Sequence, residues 1–294
     1  MLDFKTILTH PGGAHKDEVL ACSVLLALQP VSIVRREPTP ADLADAAICV
    51  VDVGHVHDPS LNNFDHHQFP KDQPPTCALS LVLKHLGIYD DAREFCEWLE
   101  TAEWFDCRGP FATADWLGVD RDVLNKLNSP VDVTLLKRFA ASSSLIPGEP
   151  LWEILRMVGQ DLLDYVKGLH DRLAFLDRHA EFWNVDSSGR KMQVLFLPRM
   201  EPALDDPSMG MDKFIERRGK LNDIAGLVYP DRRSNGYGLS RFRDDGRLDF
   251  TRIASAPDVH FAHARGFVAK TSATQISRLK ELLRSAASQA AEDE

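Results

Sequence analysis

Six of the eleven histidines of this 294-residue chain (His10, His15, His55, His57, His66 and His67) fall within its first 67 residues. Most of them stand with carboxylates in short segments. The first is Thr9-His10-Pro11-Gly12-Gly13-Ala14-His15-Lys16-Asp17-Glu18 and the last is Phe64-Asp65-His66-His67-Gln68. Between them, Val51-Asp52-Val53-Gly54 adds a further carboxylate. Imidazole with several carboxylates is a coordination set for borderline divalent ions such as Mn²⁺, Zn²⁺ or Fe²⁺. One such segment alone reads as a helix cap or a polar turn. Three in succession, each after an expected strand, point to a metal centre. Gly12, Gly13 and Gly54 let the backbone turn tightly beside it. Cys22 and Cys49 lie in apolar runs and read as inert core thiols, which argues against nucleophilic cysteine chemistry. The first segment lacks the Lys-Ser/Thr ending of a nucleoside-triphosphate loop.

Ligands at fixed spacing need rigid elements behind them. Residues 5–9, 31–35 and 48–53 read as strands. Residues 16–29 and 41–46 read as helices, the first apolar almost all round and therefore buried. Strands alternating with helices predict a parallel sheet covered on both faces, with sites at the carboxyl ends of the strands. From Thr76 the pattern turns helical: residues 76–86 close at Gly87, residues 91–104 follow, and Pro110, Pro130, Pro147 and Pro150 punctuate shorter helices. Residues 151–183 read as a helical connection. Strands are expected from Lys191 and over residues 224–229, 237–242 and 248–253. A helix over 272–287 and a frayed acidic tail, Glu292-Asp293-Glu294, close the chain. The expected fold class is α/β, with a metal-binding parallel-sheet domain over 1–145, a helical connection over 146–188 and a smaller α/β domain over 189–294.

Lys and Arg number 34 against 44 Asp and Glu, a net charge of −10. That balance excludes tight, non-specific coating of nucleic acid, which needs many cations facing phosphates. The charge is unevenly placed. Residues 213–252 carry ten Lys and Arg against six Asp and Glu, a net +4, which leaves −14 elsewhere. Either a polyanionic substrate lies between the two parts or the basic stretch is a solvated sheet face. The five cysteines form no C-x-x-C pair, as expected of reduced thiols in a cytoplasmic protein. The longest apolar run, 19–28, is far short of the ~20 residues of a membrane span, and the first residues lack the pattern of a signal peptide.

The motifs resemble the Myg (melanocyte-proliferating-gene) branch of the DHH phosphoesterase superfamily, described as metal-dependent hydrolases with 3′→5′ exoribonuclease activity. The branch reads approximately T-H-S-G-x-F-H-x-D-E-V-x-A, V-D-V-G and F-D-H-H-Q; this chain has THPGGAHKDEVLA, VDVG and FDHHQ in that order. A later Asp in a D-N-G segment is matched by Phe105-Asp106-Cys107-Arg108-Gly109, and H-A-x-G-F by His263-Ala264-Arg265-Gly266-Phe267. The resemblance implies a DHH-type catalytic domain with two metal ions, Mn²⁺ first and Mg²⁺, Fe²⁺ or Zn²⁺ as alternatives. His10, His15 and Asp17 would come from the first loop, Asp52 would bridge, and His66 and Asp106 would complete the pair. A bridging ligand must be a carboxylate, since an imidazole nitrogen has one lone pair. Asp65 would aim a neighbouring imidazole, and His67 would face the phosphate.

His263 and Gly266 look like the family's substrate-side contacts, with Arg265 adding charge beside them. Arg35 and Arg36, at the end of the second expected strand, would share the rim of the metal site, with at least one facing the phosphate or else held in an ion pair with a helix. The chain departs from the branch at Pro11 and Ala14, at the inserted Cys107-Arg108, and at His55 and His57, which are expected at the pocket rim. The implied activity is 3′→5′ trimming of short RNA or nucleotides by a two-metal-activated water. A small-phosphoester or pyrophosphate hydrolase fits the same site. A non-catalytic nucleotide- or RNA-binding module with a structural metal fits the departures. No membrane partner is expected, and a homo-oligomer is compatible with the sequence.

Overall fold

In the computed structural model, which describes residues 3–187 and 190–288, the opening segment alternates strand and helix as its apolar pattern requires. The elements are β1 (Thr6–Thr9), α1 (Lys16–Leu28), β2 (Ser32–Arg35), α2 (Pro40–Ala44) and β3 (Ile48–Val51). β1 lies between β2 and β3 and is parallel to both. Ile7, Leu8, Ile33, Cys49, Val50 and Val51 are almost wholly buried, as expected for parallel strands covered on both faces. Two-residue strands, which are too short to show a period in sequence, extend this sheet. β4 (His57–Asp58) and β5 (Asn63–Phe64) lie beyond β3, and β6 (Ser144–Leu145) lies beyond β2, in the order β4-β5-β3-β1-β2-β6. The sheet is parallel at its centre and antiparallel at its edges.

The helices that follow are α3 (Ala78–His85), α4 (Tyr89–Phe95), α5 (Glu97–Leu117), α6 (Arg121–Lys126), α7 (Pro130–Ala140) and α8 (Pro150–His179). The single helix expected over 91–104 is broken at Cys96, whose φ of −108° and ψ of 84° leave the helical region. α5 in turn bends at Gly109, with φ +77°, ahead of Pro110. α1 is buried on nearly every side and packs on α3. α8 touches it backbone to backbone: a Cβ on Gly159 would stand 1.9 Å from the Ser23 carbonyl oxygen. Only glycine permits that approach.

The chain divides into two compact units, Met1–Gly168 and Leu169–Glu294, the division falling inside α8. The second unit holds β7 (Glu181–Ser187), β8 (Arg190–Phe196), α9 (Met211–Arg217), β9 (Ile224–Pro230), β10 (Tyr237–Arg241), β11 (Val259–Ala262), β12 (Val268–Thr271) and α10 (Ile276–Ala286). Its strand order is β11-β12-β10-β9-β8-β7, with β8 and β9 the parallel pair. α10 closes the core with Leu279, Leu282, Leu283 and Ala286, a helical 3–4 spacing, over Trp183, Val194, Phe196 and Leu239. The architecture is thus α/β in both units.

Two expected boundaries change. The helix expected over 151–183 ends at His179, and Phe182 and Trp183 belong to β7. Residues 250–253 form a 3₁₀ turn instead of a strand, because the Asp249 carboxylate accepts from the Thr251 amide at 3.0 Å and hydroxyl at 2.7 Å. The acidic tail lies outside the described residues. No helix among the described residues is long and apolar enough to cross a membrane.

Candidate metal centre

The first sheet delivers its polar residues at the carboxyl ends of its parallel strands. His10 follows β1, Asp52 follows β3, and Asp65, His66 and His67 follow β5, while His15 and Asp17 stand at the N-terminus of α1. Asp106 comes from α5. The turn after β3 is left-handed at three of four positions: Asp52 at φ +59°, Gly54 at +95° and His55 at +56°. A non-glycine residue held there costs about 1–3 kcal/mol. A Cβ at Gly54 would also stand 2.9 Å from Leu43 Cδ2.

His66 Nε2 lies 3.1 Å from Asp52 Oδ1 and 2.8 Å from Asp106 Oδ2. His10 Nε2 lies 3.5 Å from Asp52 Oδ2, and His15 Nδ1 lies 3.6 Å from Asp106 Oδ1. Four sets of ligand atoms each fall within 4.8 Å of one another, and two of them are His10, His15 and Asp52, and Asp17, Asp52, His66 and Asp106. Asp52 belongs to both. Donors bound at 2.0–2.2 Å to one cation sit roughly 3 Å apart when adjacent and about 4.2 Å apart when opposed, so the observed spacings suit such an ion. Both Asp52 carboxylate oxygens, Asp17 Oδ1, Asp106 Oδ2 and His66 Nε2 are buried without a hydrogen-bond partner. An unsatisfied buried polar atom costs about 1–3 kcal/mol, and divalent cations would satisfy all five at once. The donor set fits the group that the motifs imply.

Without cations, protons take their place. Asp52 and Glu18 raise the His10 pKa to about 11. Burial opposes a charge on His66, but the adjoining Asp106 and Asp52 carboxylates lift its pKa to about 12. Burial, followed by the carboxylates of Asp52 and Asp106, pushes Asp17 well above the usual carboxylate range. Burial would raise Asp52 too, yet the histidines beside it hold it below that range. Asp65 plays a different part. Its Oδ1 accepts from His67 Nδ1 at 2.7 Å and the His67 amide at 3.0 Å, and its Oδ2 accepts from the His55 amide at 2.6 Å. Against the burial that would raise its pKa, these bonds hold it at about 2, and Asp65 raises His67 in return. With Nδ1 committed, Nε2 is the free nitrogen of a half-exposed His67 ring.

The remaining expected residues divide. Arg35 is not free for a phosphate: its side chain is 1% exposed and both terminal nitrogens are committed to backbone carbonyls and Glu18. Arg36 pairs in bidentate fashion with Asp42 at 2.8 and 2.9 Å. His263, Arg265 and Gly266 lie in the second unit on the β11–β12 turn, where His263 Nδ1 accepts from the Arg265 amide at 3.1 Å. Gly266 has φ +71°, and a Cβ there would strike Asp249 Oδ1. His57 packs on Phe64 and Phe69, and His55 stands edge-on to His67. Sequence reasoning missed two residues. Glu18, wholly buried, contacts His10 Nε2 at 3.0 Å; the signal was an acid one residue past Asp17 on a helix otherwise apolar. Cys107 Sγ stands 3.8 Å from His66 Nδ1, which no spacing foretold.

The MYG1 exonuclease family model, described as an uncharacterised protein family (UPF0160), matches residues 6–87. Residues 6–87 are thus similar to the Myg family. The matched stretch contains every ligand candidate except Asp106. The human protein named MYG1 exonuclease is 46% identical over 63 residues, which cover 20% of this chain and 16% of that relative's length. A solved pGpG-specific phosphodiesterase, PggH from Vibrio cholerae, aligns over 97% of this chain and 98% of its own at 13% identity and a TM-score of 0.33.

Proposed function

We propose that this chain is a metal-dependent phosphoesterase that trims short RNA or nucleotides from the 3′ end, with two divalent cations, Mn²⁺ foremost, held at the centre above. The observation that carries the reading is the pair of ligand sets that share Asp52, with five buried donor atoms that make no hydrogen bond. His10, His15 and Asp52 would hold one cation; Asp17, Asp52, His66 and Asp106 would hold the other. Bound there, two cations supply charge neutralisation at the phosphoryl oxygens and an acidified water for attack on phosphorus.

The protein's own groups do the rest. Asp65 fixes the His67 ring through Nδ1, which leaves Nε2–H to hold a phosphoryl oxygen and to give a proton to the leaving oxygen. The sheet ends fix His10, Asp52 and His66 before substrate arrives, and α1 and α5 fix the other donors. His263, Arg265 and Gly266, in the second unit, match the family's substrate-side motif. The name of the human relative, an exonuclease, supports a nucleic-acid phosphoester as substrate. Five free cysteines support a reducing, cytoplasmic location.

The test is hydrolysis of a 5′-labelled RNA pentamer with added Mn²⁺, beside inorganic pyrophosphate. Wild type should shorten the pentamer stepwise from its 3′ end, and His66→Ala should lose that activity while keeping its circular dichroism spectrum. Full activity in His66→Ala would refute the assignment, and turnover of pyrophosphate alone would refute the substrate.

A further inference from the structure

Arg35 closes β2, yet its side chain turns into the loop that carries His10 and His15. Nη1 donates to the carbonyls of Gly12 at 3.3 Å and Phe139 at 2.9 Å. Nη2 donates to the Gly13 carbonyl at 2.9 Å and to Glu18 Oε1 at 3.3 Å. The Phe139 ring lies 4.6 Å from the guanidinium carbon. Glu18 extends the grip: it accepts from Thr9 Oγ1 at 2.9 Å and the His15 amide at 3.4 Å, and it meets His10 Nε2 at 3.0 Å. One cation thus holds the loop from Thr9 to Glu18 at both its crest and its base. A Cβ at Gly12 or Gly13 would meet nothing within 4 Å, so no side chain packs on that side of the crest. His66 and Asp106 come from the end of β5 and from α5, outside this loop, and Asp17, at its end, is held separately, in α1 with its Oδ2 accepting from the Ala78 amide at 3.3 Å.

We propose that Arg35 is a positioning residue that locks the His10–His15 loop into the geometry of its metal site, acting through the Gly12 and Gly13 carbonyls and through Glu18. The inference rests on the two-metal reading above. A guanidinium suits the task because its planar fork reaches several acceptors in fixed directions, which the single point charge of lysine does not. Groups that orient metal ligands from behind typically set affinity by about 10–100-fold.

Mn²⁺ alone, titrated into the metal-free 294-residue chain, tests the proposal. Wild type, Arg35→Lys and Glu18→Gln are compared, with His10→Ala and Asp106→Ala marking which uptake step belongs to which site. In Arg35→Lys the step that His10→Ala removes should weaken by about 10–100-fold, and the step that Asp106→Ala removes should keep its affinity. Glu18→Gln, a neutral isostere, should weaken the same step and decides the matter if Arg35→Lys does not fold. Wild-type affinity at both steps would overturn the proposal. So would equal weakening of both steps, since that is what a purely structural arginine produces. A wild-type protein that takes up no Mn²⁺ would refute the two-metal reading itself, and this inference with it.

Discussion

If Asp52 serves both ligand sets, replacing it should cost twice what replacing a ligand of one set costs. Asp52→Asn is the suitable perturbation: asparagine tolerates the left-handed backbone at φ +59°, so the change removes charge without adding strain. A site at 100 times its Kd adds about 2.7 kcal/mol to stability, so two sites add about 5 kcal/mol. For a unit the size of Met1–Gly168, 1 kcal/mol moves Tm by roughly 2–4 °C. Saturating Mn²⁺ should therefore raise the wild-type Tm by about 10–20 °C. A tenfold loss of affinity at each site halves the rise in Asp52→Asn, to about 3 kcal/mol in total. Asp106→Asn, touching one set, should lose about half as much. The assay is thermal unfolding by circular dichroism, with and without Mn²⁺, on chelator-treated protein. Equal losses in Asp52→Asn and Asp106→Asn would refute the shared carboxylate, and a wild-type Tm indifferent to Mn²⁺ would refute the metal centre.

Metal uptake should release the protons on His10 and His66, held at about 11 and 12 without cations, so affinity should rise with pH. Calorimetric titration in buffers of different ionisation heat counts those protons, and a count of zero would contradict the cluster as described. Asp65→Asn should return His67 toward its ordinary value near 6.5, read from its ring resonances in metal-free protein. Because His67 is raised in the folded chain, its charge contributes fully below about pH 6.5 and is lost as pH rises through the raised value; Asp65→Asn should flatten that dependence. Gly159→Ala should destabilise the first unit by about 1–3 kcal/mol, since the overpacking against Ser23 exceeds the helix-propensity gain of about 1 kcal/mol. Urea denaturation checks this, and a variant as stable as wild type would show that α8 does not approach α1 so closely.

The opening βαβ pattern was legible because β1, α1, β2 and β3 are set by apolar runs that can only be buried, and the strands placed the ligands at one edge. What was not legible depends on non-local partners. β4, β5 and β6 exist because longer neighbours offer them hydrogen bonds. The break at Cys96 and the 3₁₀ turn after Asp249 are local choices inside segments whose periodicity suggested something simpler. Arg35 read as a rim cation by strand position alone. Its burial under Phe139, more than a hundred residues away in the chain, is a tertiary fact. Glu18 was hidden because its neighbour Asp17 already explained an acid at that helix start.

The turn at residues 51–55 bears on how such motifs are read across evolution. Asp52 and Gly54 are constrained by backbone geometry as well as by any ligand they hold: few residues accept φ +59° or +95°, and a Cβ at Gly54 would crowd Leu43. Selection for folding alone therefore shelters V-D-V-G from drift. A descendant that had lost its chemistry would keep these letters long after its His15 or Asp106 had wandered. The candidate ligands whose backbone carries no such strain, Asp106 among them, are the more discriminating positions at which to look for the chemistry.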